Sequence, residues 1–144
     1  MKTLLKFFRF DFLPRSADLA LLLLRLWAGL TLMLLHGWAK LTGFDKMSDK
    51  FIDLLGLGSK MSLGLAVFGE FFCSLLLIFG LFTRFAALCC GITMTVAFLM
   101  AHKMVLKGPG SGELAFIYLA VYAALFVAGG GRFSVDARMA GKVN

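Results

Sequence analysis

Proline is scarce in this chain, with two residues in 144. Both fall outside the apolar runs, Pro14 ahead of the first and Pro109 in a Gly-rich turn. Acidic residues are also few, eight against fifteen Lys and Arg, for a net charge of +7. The basic residues gather at the ends of apolar runs, and no base-stacking aromatic pattern accompanies them. Nucleic acid is therefore not the expected partner; membrane orientation and contact with anionic lipid are. The three cysteines, Cys73, Cys89 and Cys90, form no CxxC, and two neighbours in sequence leave opposite-leaning faces of one helix. They read as small apolar packers rather than a dithiol centre. No haem pair, flavin or Gly-rich nucleotide loop, or Fe–S set is present.

What the chain has is apolar surface. Sixty percent of its residues are hydrophobic, sixteen are Phe, and mean hydropathy is +0.90. A soluble domain of this size leaves much of its surface in water and has no room to hide so much hydrocarbon. The expected solvent is lipid, and the expected fold is all-α, a single integral membrane four-helix bundle over residues 1–144. Four segments approach the roughly 20 residues a spanning helix needs: 17–38, 61–82, 85–101 and 113–127. Pro14, Ser16 and Asp18 suit the start of the first. That segment is long, carries Arg25 and lacks a small-x-small cleavage site, so it reads as a retained anchor.

Ahead of it, Leu4, Leu5, Phe7, Phe8, Phe10 and Phe12 interleave with Lys2, Lys6 and Arg9, which suits a stretch lying on an anionic leaflet. In the first long loop Phe44, Met47, Phe51, Leu54 and Leu55 recur at helical spacing, predicting an interfacial amphipathic helix over 44–55, as an anchor or as a cover over the bundle. Eight Lys and Arg flank the ends shared by the two termini, and six flank the opposite ends. The margin predicts a multi-pass protein of a bacterial or archaeal cytoplasmic (inner) membrane with both termini cytoplasmic.

Ionisable residues inside such spans are costly, about 3 kcal/mol each on insertion scales, and mark function by default. Glu70 lies near the middle of the second span. On the first, Arg25, Gly29, Leu32, His36 and Lys40 recur at three- and four-residue spacing and form one stripe. The spacing predicts a polar column Lys40–His36–Glu70–Arg25, with Arg25 reaching the carboxylate directly or through water. His102, Lys103 and Glu113 are expected to join His36 and Lys40 at one mouth, with Tyr118 and Tyr122 extending a polar edge below. The Glu-x-x-His pattern of helical di-metal sites is absent and the ligands would come from different depths, so no metal is assigned.

Several of these residues carry a family resemblance. Arg25 with Gly29, the run His36-Gly37-Trp38-Ala39-Lys40-Leu41, Gly69-Glu70, Phe79 to Arg84, and the tail Gly129 to Asp136 resemble DoxX-like membrane proteins from Leu19 to Asp136. The resemblance implies a four-helix inner-membrane protein. The family takes its name from a subunit of an archaeal thiosulfate:quinone oxidoreductase, and other members are linked to redox or detoxification systems. Resemblance and residues meet in a pocket for a quinone-like lipophilic molecule, with Arg25, His36, Lys40, Glu70, His102 and Glu113 as ligand-binding residues. Glu70 and His36 are the proton-transfer candidates, and Phe68, Phe71 and Phe72 the apolar walls. Electrons would come from a redox partner protein or from the ligand, which favours an accessory subunit of a quinone-linked oxidoreductase over a complete enzyme. The alternatives are a small-molecule or ion transporter, acting as a homo-oligomer because four helices are few, and a scaffold or assembly factor.

Overall fold

The computed structural model describes Phe8, Phe10 and residues 16–141. The basic amphipathic start lies outside the described residues apart from those two phenylalanines. The regular elements among the described residues are all helices, without strands. Helix α1 covers Ala17–Thr42. Ser16 caps it, its hydroxyl accepting from the Leu19 N–H at 3.1 Å, and Asp18 in the first turn complements the positive helix end. It continues past the expected end at Trp38, and the Thr42 hydroxyl returns to the Trp38 carbonyl at 2.9 Å.

The expected helix over 44–55 is cut to α2, Phe44–Met47. Beyond it the chain turns through left-handed backbone at Leu55, Gly56 and Gly58. Polar side chains supply the bonds a helix would have made. Asp53 Oδ1 accepts from Gly58 N at 2.8 Å, and Ser62 Oγ accepts from Leu54 N at 2.9 Å. Asp and Ser offer the backbone local alternatives to a helix, which apolar spacing alone does not register.

Helix α3, Ser59–Phe79, stops at Gly80 (φ +68°), short of the expected Phe82. Helix α4, Thr83–Ala101, starts two residues earlier than expected. Helix α5, Glu113–Ala128, is a shorter apolar helix, and α6, Val135–Ala140, lies in the tail. Helices α1, α3 and α4 are each long and apolar enough to cross a membrane. Each carries one π-helical turn, at Met33–Gly37, Phe68–Cys73 and Ala97–Ala101.

The core sits between α4 and α5, where Ala86, Ala87 and Cys90 let Tyr122 and Leu125 come close. Helix α1 docks on α3 through glycines. A Cβ on Gly37 would lie 2.6 Å from the Glu70 carbonyl oxygen, and one on Gly29 would lie 2.8 Å from Ile78. These approaches set the register, with Gly37 level with Glu70 and Gly29 level with Ser74 and Ile78.

That register carries Arg25 away from Glu70. Its Nη1 donates to the Leu77 carbonyl at 3.0 Å and its Nη2 to the Phe133 carbonyl at 2.8 Å. The expected Arg25–Glu70 pairing is thus corrected. Seven residues of α3, about 10 Å, separate Glu70 from the carbonyl that Arg25 reaches. Arg25 instead clamps the tail to the α3–α4 corner, over Gly80, where any Cβ would collide with its guanidinium. Asp136 completes the clamp by accepting from Phe82 N (2.7 Å), Thr83 N (2.8 Å) and Thr83 Oγ1 (2.7 Å). It caps α4 from more than fifty residues away, which is why α4 begins early. Across the same end, Arg132 N donates to Asp18 Oδ1 at 2.8 Å, so the start of α1 and the tail share one end of the bundle.

Burial works against the Asp136 carboxylate, but the Thr83 and Phe82 hydrogen bonds outweigh it and hold the group below its ordinary value. A depressed folded pKa contributes stability that is present above the unfolded value, about 4, and lost as pH falls through the folded one. Melting followed from pH 5 to pH 2 should show this acid-side loss in the native chain. It should be weaker in Asp136→Asn, which melts lower at neutral pH; parallel curves would rule the linkage out.

Candidate functional site

At the end of the bundle opposite the tail, α1, α3, α4, α5 and the first loop enclose a cavity of about 570 Å³. This volume is ordinary for a small-molecule site. Its walls are mostly apolar, with Leu32, Phe68, Ile92, Met94 and Ala115 among them. Of the three aromatic walls expected, only Phe68 belongs. Phe71 and Phe72 turn away and pack edge to face on one another, Phe71 also meeting Trp38.

Among the polar groups on the wall, Glu70 is buried. Lys40 comes off the last turn of α1, and its Nζ lies 2.5 Å from Glu70 Oε2; the side chains keep 19% and 7% of their exposure. Lys40 takes the role expected of Arg25. His36, one turn below Lys40, is half-buried on the same wall. His102 lies at the end of α4, where its Nδ1 donates to the Gly110 carbonyl at 2.7 Å, leaving Nε2 for other partners. Tyr118 lines the cavity from α5. Its hydroxyl donates to Thr31 Oγ1 at 2.5 Å, and Thr31 passes the bond to the Trp27 carbonyl at 2.7 Å.

Four of the six expected site residues, His36, Lys40, Glu70 and His102, therefore line one cavity. Two do not. Arg25 is at the opposite end of the bundle, and Glu113 is exposed at the start of α5, off the cavity wall. Arg25 is placed by the glycine register between α1 and α3, which helical spacing does not carry.

The cavity also takes Lys50, Ser62 and Thr93, which the sequence reading passed over. Lys50 falls on the polar side of the helix expected over 44–55. Thr93 does carry a signal, since it sits against Gly69, where it leaves no room for a Cβ, and glycine facing a small polar residue is a close-packing pattern. Cys89 reaches the cavity wall, whereas Cys90 is buried and donates to the Gly69 carbonyl at 3.2 Å.

All three π turns touch this cavity, through His36, through Phe68, Gly69 and Glu70, and through Ala97 and Ala101. A π turn inserts a residue into the helical ladder and re-aims the side chains beyond it, which is why such turns gather at sites. Lys40 and Arg25 both reach α3, and the rise along α1 with the glycine register sets the different levels they meet, Glu70 and Leu77.

The DoxX family model matches residues 20–103, which hold α1 from its fourth residue, the loop, α3 and α4. That span includes every polar group named above on the cavity wall except Tyr118, and it stops short of the Gly129–Asp136 tail. No curated protein and no solved structure matches the chain. The family match covers more than half of the chain and agrees with the apolar helices: this protein belongs to the DoxX family of membrane proteins.

Proposed function

We propose that this DoxX-family protein binds a lipophilic, quinone-like molecule in the cavity and serves as an accessory subunit of a membrane redox system. The observation that carries the reading is the Lys40–Glu70 ion pair set into a mostly apolar cavity that two imidazoles also line. The Lys40 ammonium donates to a ring oxygen and stabilises negative charge there. Glu70 and His36 exchange protons with that oxygen, and His102 links the site to the cavity mouth. Arg25 and Glu113 have no part in this scheme. Electrons come from a partner protein or from the ligand itself. The Lys and Arg margin, eight against six, supports an orientation with both termini cytoplasmic, which we assign to a bacterial or archaeal inner membrane.

Mass spectrometry of lipid extracted from the purified protein tests the reading. A lipophilic quinone should co-purify with the native chain, and added quinone should raise its melting temperature. Glu70→Gln should weaken that binding at least about tenfold, the usual effect of losing a charged hydrogen-bond partner. A preparation with no bound quinone and no thermal response to added quinone sinks the proposal. Solute flux in liposomes without a redox partner would favour a transporter instead.

A further inference from the structure

A route to Glu70 follows from how the cavity is closed, and it rests on the lipophilic-ligand reading above. Over the mouth lie Lys50, Phe51, Ile52 and Leu54 of the first loop. The loop is tied down by the Leu54–Ser62 and Asp53–Gly58 hydrogen bonds. The side wall differs. Helices α3 and α4 pack closely over Phe68–Phe79, but over Ser59–Val67 α3 leans on the Trp38–Thr42 end of α1 and makes no comparable packing with α4. The rim of the resulting gap is Leu65 and Phe68 on α3 and Ile92 on α4. Each lines the cavity, and each is also about half exposed, at 44%, 43% and 56%. In a membrane protein that exposed surface faces lipid.

We propose that the gap between α3 and α4 is a lateral portal, and that the ligand is a tailed amphiphile drawn from the bilayer, its head at Lys40–Glu70 and its hydrocarbon tail left between the two helices. Entry from the water side would require breaking the loop's hydrogen bonds and exposing the tail to water. Entry through the gap breaks no polar bond and keeps the tail in hydrocarbon throughout.

The full chain in lipid nanodiscs tests this with two probes, a benzoquinone bearing a decyl tail and the same head without one. Leu65→Trp and Ile92→Phe fill the gap and alter neither member of the Lys40–Glu70 pair. The decyl compound should lose about tenfold more affinity than the tailless one, as expected for overpacking its tail seat. Ile92→Phe is the milder step and keeps the comparison valid if Leu65→Trp folds poorly. Equal losses for both compounds, or none for either, overturn the portal and leave the ligand reading standing. A native chain that binds neither compound overturns both.

Discussion

Replacing Lys40 by alanine should destabilise the protein by about 3 kcal/mol, far more than loss of an exposed lysine, because it leaves a buried carboxylate without its cation. Glu70 keeps only 7% of its side-chain exposure, and Lys40 is the one salt-bridge partner it has among the described residues. The companion variant separates charge from packing. With Lys40→Met and Glu70→Leu together, both charges leave an apolar cavity and most of the stability should return, since buried pairs are often replaceable by hydrophobes of like size. Denaturant unfolding in bicelles of the native chain, Lys40→Met, Glu70→Leu and the double variant gives the coupling energy directly. A Lys40→Ala cost below about 0.5 kcal/mol would mean that the pair is solvated like a surface ion pair.

Arg25→Ala should cost as much or more, about 3 to 5 kcal/mol, for a different reason. The guanidinium is fully buried and holds carbonyls of α3 and the tail together, at Leu77 and Phe133. Without it these carbonyls lose charged donors, Gly80 loses the group packed over it, and the tail carrying Asp136 is held from one side only. Unfolding by denaturant, with trypsin cleavage at Arg132 and Arg138 as a second readout, should show the tail released before the bundle unfolds. The two sites also make a joint prediction. Their carbonyl and carboxylate partners lie about 10 Å apart along α3, so the Arg25→Ala and Lys40→Ala losses should add within about 0.5 kcal/mol. A single polar column running from Lys40 to Arg25 would instead give a large coupling term.

The contrast between these two residues marks where sequence reasoning stopped. Arg25, His36 and Lys40 fall on one stripe of an ideal helix, and a single partner for all three followed from that spacing. The rise along α1 separates their levels, and Gly37, pressed on the Glu70 backbone, fixes which level of α3 each residue meets. An interhelical register is not written in apolar periodicity. The loop after α2 failed for a related reason. Its apolar residues do recur at helical spacing, but Phe51, Ile52 and Leu54 turn onto the cavity, and Asp53 and Ser62 bond the backbone that a helix would have used.

The sequence by itself determined the solvent and the class. Hydrocarbon content and scarce proline require lipid and long helices, because a backbone in lipid must satisfy its own hydrogen bonds. It also singled out Glu70 as the residue in need of an explanation, and placed His36 and Lys40 on the wall facing it. Only the tertiary structure decided that Lys40 neutralises Glu70 and that Arg25 locks the tail. It alone opened the side of the cavity between α3 and α4. Those outcomes depend on contacts between residues thirty to more than one hundred positions apart. Such contacts are set by glycine approaches, which act on the geometry between helices and leave the hydrophobic pattern of each helix unchanged.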